Sequence, residues 1–385
     1  VITAEQTYRY GRTSAFDPER SQLDLATSGG RTLAGPAVQP RFFAGFFTQP
    51  QVAAEGIRAV ARVAASRYVE VPTPGNFRDP VVTCDGEGLR FEAFSACGGV
   101  YARLDVLGPG VDGEMFDRGT TNVDVGEPLR RMLSGVSADA VLHVSVGSEE
   151  VVFTEPGRAV VERRVPLPTR WLRGFAESQQ IASTFEPRLE SSAADGLRFL
   201  RSVSGARDVG WLMPAGRNWR LSGRPTAQSV FMADGRRLES MVPLLRLGSR
   251  MRAYGPAAGP NDQSASSAWE IELPGMRFTL LLSPASGRGL SGEGAVLESL
   301  AADEVADDAD VVHAELAFEP WLDADELATA TRLTVPRVRA ALSCLATAGS
   351  VGYDLSGAGF FHRELPYDAA ALEVMNPRLR SARRL

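Results

Sequence analysis

The segment DADELATATRLTVPRVRAALSCLATAGSVGYD, residues 323–354, passes from helical to strand periodicity within a few residues, and no other stretch constrains the fold as tightly. Asp323 is placed to cap a first helix, with Glu326 three residues on and Leu327 and Leu333 as its apolar positions. Thr334 opens a second helix. Val335 and Pro336 fall in its first turn, where a missing N–H costs little, and Val338, Ala341, Leu342 and Leu345 recur at helical spacing until Gly349. Residues 350–355 and 360–363 then read as two short strands joined by the turn formers of 356–359, which predicts helix, turn, helix and wing. Each short amphipathic element can bury its apolar face only against the others. Residues 309–366 should therefore form one unit with Val311, Val312, Leu316, Leu327, Leu333, Val338, Leu342 and Leu345 in a shared core.

Modules of this type read duplex DNA with the second helix and the wing, which makes Arg332, Thr334, Arg337, Arg339 and Arg363 the candidate partner-binding or nucleic-acid-binding residues. The charge balance opposes that use. Between 322 and 366 five acids (Asp323, Asp325, Glu326, Asp354 and Glu364) stand against four Arg, where DNA-binding modules carry a basic excess. The whole chain has 41 Lys+Arg against 47 Asp+Glu, a net charge of −6. All of those cations are Arg, a usage that by itself licenses no phosphate-binding reading. Between Arg288 and Arg332 there is no basic residue, while Glu293, Glu298, Asp303, Glu304, Asp307, Asp308, Asp310, Glu315, Glu319, Asp323, Asp325 and Glu326 supply twelve acids. If these helices pack beside the second helix of the motif, their charge acts within one or two Debye lengths, about 8 Å each, of any phosphate approaching Arg337 and Arg339. Duplex binding should be weak, and the face is expected to dock a protein carrying Arg or Lys side chains. The alternative is a nucleic-acid-binding component.

Upstream the chain reads as α+β and multidomain: two mixed sheet and helix units, then the winged helix-turn-helix. The aromatic patch RFFAGFF (41–47) precedes a helix over 50–68, and its four phenylalanines are core candidates, since only Arg41 accompanies them. Strands follow at RFEAFS, VYARLDV and DRGTTNVDV, a short helix at 128–133, a strand meander over 140–165, and helices over 170–183 and 193–202. A second cycle runs from VGWLMP at 209 through a helix over 237–247 to WEIELPGMRFTLLLSP, interrupted by the Gly/Pro/Ser-rich loop GPAAGPNDQSASSA. The boundaries predicted from this rhythm are 1–205, 206–295, 296–368 and a connecting segment 369–385.

Enzymatic chemistry finds no named residues. There is no G-x-S-x-G elbow and no Walker loop, so the chain is expected not to be an enzyme. Gly287, Gly289 and Gly292 form G-x-G-x-x-G, but no return strand with a ribose-binding acid follows, and a turn with helix entry is the expected structure. Glu114, Asp117 and Asp124 read as a solvent-facing strand edge, and His143, inside VLHVSV, as a packing histidine. Cys84, Cys97 and Cys344 and His143, His313 and His362 are too scattered for metal-ligand spacing, and neither a cofactor nor a metal is expected in residues 1–385. Sparse cysteine, no apolar run of membrane-spanning length and no signal-peptide layout predict a cytoplasmic protein. The start at Val1 and the end within RLRSARRL suggest that the native protein continues, with Arg378, Arg380, Arg383 and Arg384 in a following helix.

The strings LATSGG, PRFFAGF, LRFEAFSACGGVYARLDVL, DRGTTNVDV, VPLPTRWLRGFAE, WEIELPGMR, SGEGAVLESLA, AGSVGYDL, FHRELPYD and MNPRLRSARRL span the chain. On these, it resembles the region upstream of the zinc motif in a bacterial group of SWIM zinc finger proteins. The resemblance implies a zinc-binding C-x-C and C-x-H pair beyond Leu385, so that zinc is expected only in that C-terminal finger and falls on no residue of this chain. It further implies an accessory scaffold or adaptor subunit, acting with a MoxR-type AAA+ ATPase and a von Willebrand A protein in stress or phage defence, an association that fold alone does not carry.

Overall fold

The computed structural model describes residues 41–68, 80–167, 169–203, 209–256, 264–285, 289–290, 305–316, 321–363 and 365, together with five short strands between residues 8 and 36. Those five, Tyr8–Tyr10 (β1), Ala15–Asp17 (β2), Gln22–Asp24 (β3), Ser28–Thr32 (β4) and Gly35–Pro36 (β5), pair as β1–β4–β5 and β2–β3. The rest is a mixed α+β structure built on antiparallel sheets. RFFAGFF forms β6 (Arg41–Phe47), with Phe42, Phe43 and Phe47 buried as predicted, while Phe46, also expected in the core, is only half-buried. Helix α1 (Pro50–Ala65) follows, with Pro50 in its first turn and a run of small apolar residues that buries most of its circumference.

Strands β7 (Val81–Cys84), β8 (Leu89–Phe94), β9 (Val100–Val106), β10 (Val111–Met115) and β11 (Gly119–Asn122) lead to helix α2 (Glu127–Gly135). The meander is β12 (His143–Gly147), β13 (Glu150–Glu155) and β14 (Arg158–Arg163), and it joins β6 and β10 in a five-stranded sheet, β10-β6-β12-β13-β14. Helix α3 (Thr169–Ala182), strand β15 (Glu186–Ser192) and helix α4 (Ala193–Val203) come next, then a three-stranded sheet of β16 (Val209–Ala215), β17 (Asn218–Ser222) and β18 (Val230–Ala233) in the order β17-β16-β18. Strands β19 (Arg250–Gly255), β20 (Ser267–Leu273) and β21 (Met276–Leu282) complete an eight-stranded sheet, β11-β7-β8-β9-β21-β20-β19-β15.

That sheet crosses the boundary expected at 205/206. Strand β9 pairs with β21 over seven residue pairs, from Val106↔Met276 to Val100↔Leu282, so the two predicted units share one sheet. The rhythm of elements suggested separate domains because periodicity reports which elements form and is silent on which distant strands pair. One face of the sheet packs on α1, where Gly56 lets the helix approach Leu104: a Cβ at position 56 would stand 2.7 Å from Leu104 Cδ1. The helix expected over 237–247 is instead two 3-10 turns, Gly235–Met241 and Leu244–Arg246. Pro243 has no N–H to continue an α-helix. The guanidinium of Arg237, fully buried, donates to the carbonyls of Ala233, Gly99 and Ser283, and burial lowers its pKa to about 10.

The C-terminal part holds helix α5 (Val305–Leu316), strand β22 (Trp321–Leu322), helices α6 (Ala324–Thr331) and α7 (Val335–Thr347), and strands β23 (Val351–Asp354) and β24 (Gly359–His362) in a small sheet ordered β22-β24-β23. Asp323 caps α6 as expected, accepting from the N–H groups of Asp325 and Glu326. Gly349, with φ 73°, turns the chain out of α7. Val312, Leu327, Val338, Leu342 and Leu345 are buried together, and Leu333 packs against them half-buried. Val311 is 46% exposed, a correction that follows from helix phase: Val312 takes the inward position beside it. The side chain of Leu316, the connecting segment 369–385 with its four arginines, and Gly287 and Gly292 of the G-x-G-x-x-G string lie outside the described residues.

Candidate functional site

Period-2 alternation in β8, β9, β19, β20 and β21 puts apolar residues on the α1 face of the large sheet and charges on the other. The register aligns those charges into rows. One row runs Arg90, Asp105, Arg277, Glu272, Arg250, alternating in sign at every strand. The next runs Glu92, Arg103, Thr279, Glu270, Arg252, Glu190. Opposite charges directly across from one another stabilise a sheet, and such a face is ordinarily a solvated one. At the β15 and β19 end it is: Arg250 and Glu190 are exposed and Glu272 is half-buried. At the β8, β9 and β21 end the same rows are covered by α3, β23 and β24, leaving Arg90, Glu92, Arg103, Asp105, Glu270 and Thr279 buried.

The cover is held by ion pairs. Arg363 donates to Glu92 Oε1 at 2.7 Å, with both side chains at 0% exposure, and its guanidinium lies 4.6 Å from the centre of the Phe175 ring. Tyr101 Oη donates to the same Glu92 oxygen at 2.5 Å. Asp354 accepts from Arg277 at 2.5 Å and Arg103 at 3.4 Å, while Arg103 also donates to the Tyr353 carbonyl at 2.5 Å. Arg90 lies between Asp85 and Asp105, and its guanidinium sits 3.8 Å over the ring of Phe361. Gln179 of α3 accepts the Tyr353 N–H. Several atoms in this seam, Glu92 Oε2, Glu270 Oε2, Thr279 Oγ1, Arg277 Nε and Arg363 Nε, find no hydrogen-bond partner among the described residues.

Of the predicted binding residues, Arg332, Thr334, Arg337 and Arg339 are exposed and share the α6–α7 corner. Arg332 ends α6 with φ 60°. Arg337 makes a bidentate pair with Asp308 of α5, Nε to Oδ2 and Nη2 to Oδ1, each 2.7 Å, so the acidic helix does pack beside the second helix. Arg363 is a correction. It was expected on an exposed wing and is fully buried, because β23 and β24 lie against the charged sheet, where Glu92 needs a cation. Asp307 and Asp310 on α5 and Asp325 and Glu326 in the first turn of α6 are exposed. The seam itself escaped the sequence reading: the alternating charges in RFEAF and VYARLDV were visible, but they look the same whether solvent or another unit covers them. His143 is a packing residue as expected, edge-on to Phe46 with centroids 4.9 Å apart.

Burial opposes ionisation of Asp354, but the guanidiniums of Arg103, Arg277 and Arg90 outweigh it and hold its pKa below the usual carboxylate value. A depressed folded pKa gives stability that is complete above the unfolded value, about 3.9, and is lost as pH falls through the folded one. Glu270 has the opposite sign: burial raises its pKa, so its ionisation between the unfolded and folded values costs stability as pH rises. We expect the deficit of Asp354→Asn relative to the parent chain, read from urea midpoints, to be constant above about pH 5 and to shrink below about pH 4. A deficit independent of pH down to the acid transition would show that the carboxylate charge is not what holds the seam.

Among the described residues, no three His, Cys, Asp or Glu side chains are grouped to hold a metal ion, and no helix is long and apolar enough to cross a membrane. No protein-family model matches the chain, and no curated protein matches it. Solved structures similar to it include the proliferating cellular nuclear antigen of Entamoeba histolytica, with a TM-score of 0.41 and 10% identity over 63% of this chain and 98% of that one. The A. fulgidus PCNA bound by the C-terminal region of FEN-1 gives a TM-score of 0.42 and 10% identity over 63% and 97%. Similarity at this level assigns neither a family nor a function.

Proposed function

We propose that the chain is a non-enzymatic scaffold or adaptor whose C-terminal winged helix-turn-helix docks a protein. The observation that carries this is the disposition of its arginines: Arg363 is buried against Glu92, and Arg337 is tied to Asp308. A duplex-reading module keeps its second helix and wing open to the groove and the phosphates. Here α7 packs against α5, α6 and α3, and the strands of the wing are buried. What remains outward on α5, α6 and α7 is mixed in charge, with Asp307, Asp310, Asp325 and Glu326 exposed as well as Arg332 and Arg339. A partner with Arg or Lys side chains fits that surface better than a polyanion does. The SWIM resemblance adds the class of system, in which the partners are an AAA+ ATPase and a von Willebrand A protein and zinc belongs to the finger beyond this chain.

The second reading, a nucleic-acid-binding component, draws on the exposure of Arg332, Thr334, Arg337 and Arg339 at one corner. Titration of the 385-residue chain with random-sequence duplex DNA at physiological salt separates the two. Docking predicts a dissociation constant weaker than about 100 μM, at the weak limit of non-specific binding, and no change on Arg337→Ala/Arg339→Ala. Micromolar binding abolished by the double substitution would establish the DNA reading instead.

A further inference from the structure

We propose that the C-terminal unit is a reversible cap on the charged sheet face, with an open state in which β23 and β24 leave the ladder and both surfaces face solvent. Three observations carry it. First, the covered rows have the composition of a solvated face and continue without a break into rows that are exposed, so uncovering Arg90, Glu92, Arg103 and Asp105 frees charges already paired across strands, together with the Phe361 ring that lies over Arg90 and the contact of α7 with α3. Interfaces that open are of this kind, whereas permanently buried ones resemble a core.

Second, the unit brings one acid and one base to the seam, Asp354 and Arg363, so parting breaks three ion pairs, Arg103–Asp354, Arg277–Asp354 and Arg363–Glu92, while the two charges withdrawn with the unit cancel. Third, the seam on both sides keeps buried polar atoms without partners among the described residues, Glu92 Oε2 and Thr279 Oγ1 on the sheet and Arg363 Nε on the unit, which water satisfies on opening. The closed state conceals the aromatic and basic residues of the wing, Phe361 and Arg363, and the open state presents them.

Arginine-specific modification of the unaltered chain tests this, using phenylglyoxal under native conditions with peptide mapping over time. Arg103, Arg363 and Arg237 are all buried, but only the first two face the seam; Arg237 is enclosed by the carbonyls of Gly99, Ala233 and Ser283. Reversible opening predicts that Arg103 and Arg363 react on the order of tenfold or more faster than Arg237, through a sub-global opening below the global unfolding free energy. The comparison is conservative, because Arg237 has the lower pKa and its neutral form is the more abundant. Asp354→Asn, which removes two of the three ion pairs across the seam, should widen the ratio further while leaving Arg237 unchanged. Equal rates at all three arginines in the unaltered chain would mean that the seam opens only when the whole chain unfolds, and would overturn the proposal.

Discussion

Glu92→Gln should cost about 3–5 kcal/mol in stability, because it leaves the Arg363 guanidinium charged, fully buried and without an ion partner. The carboxylate also accepts from Tyr101 Oη at 2.5 Å, so two donors lose their anion at once. Replacing both members, Glu92→Met with Arg363→Met, should cost less than either single change. A buried ion pair repays its own desolvation poorly, and two methionines in a pocket walled by Phe175 and Phe361 remove the penalty along with the attraction. The double-mutant cycle is read from urea denaturation of the four chains. Additive losses would mean that the two residues do not act as a pair, contrary to their 2.7 Å contact.

Leu342→Ala should destabilise the C-terminal unit by about 2–5 kcal/mol, the range for removing a fully buried leucine from a packed site. Leu342 is buried in α7, a helix that packs against α5, α6 and α3, so the cavity it leaves has walls from helices that cannot all move inward. Hydrogen exchange followed along the chain locates the loss. Amides of α5 and α7 should show the full effect, whereas those of α1 and β6, on the far side of the large sheet, should change by less than about 1 kcal/mol if the cap opens separately. Equal losses throughout would place the whole chain in one cooperative unit.

The C-terminal elements were legible because their signals are local. A capping carboxylate at Asp323, Pro336 in the first turn of α7 and a left-handed glycine at 349 act within a few residues of themselves, and each element formed where these placed it. The candidate site was legible in part. Arg332, Thr334, Arg337 and Arg339 lie at one exposed corner, and the acidic helix lies beside them, because an amphipathic helix next in sequence has only that neighbouring apolar face to cover. Arg363 was misplaced, since a basic residue on a wing looks alike in sequence whether it meets solvent, phosphate or a carboxylate 271 residues away in the chain.

Local sequence signals by themselves placed most of the helices and strands and their apolar faces, the 3-10 turns over 235–246 and the exposed Val311 excepted. Tertiary structure alone decided that β9 pairs with β21, which merges the two predicted units into one sheet, and that β23 and β24 cover the charged rows of that sheet. The reason is physical. Periodicity records the environment of a residue as apolar or polar, and a buried guanidinium paired with a buried carboxylate is as polar as a solvated one; only the contact between Glu92 and Arg363 distinguishes them.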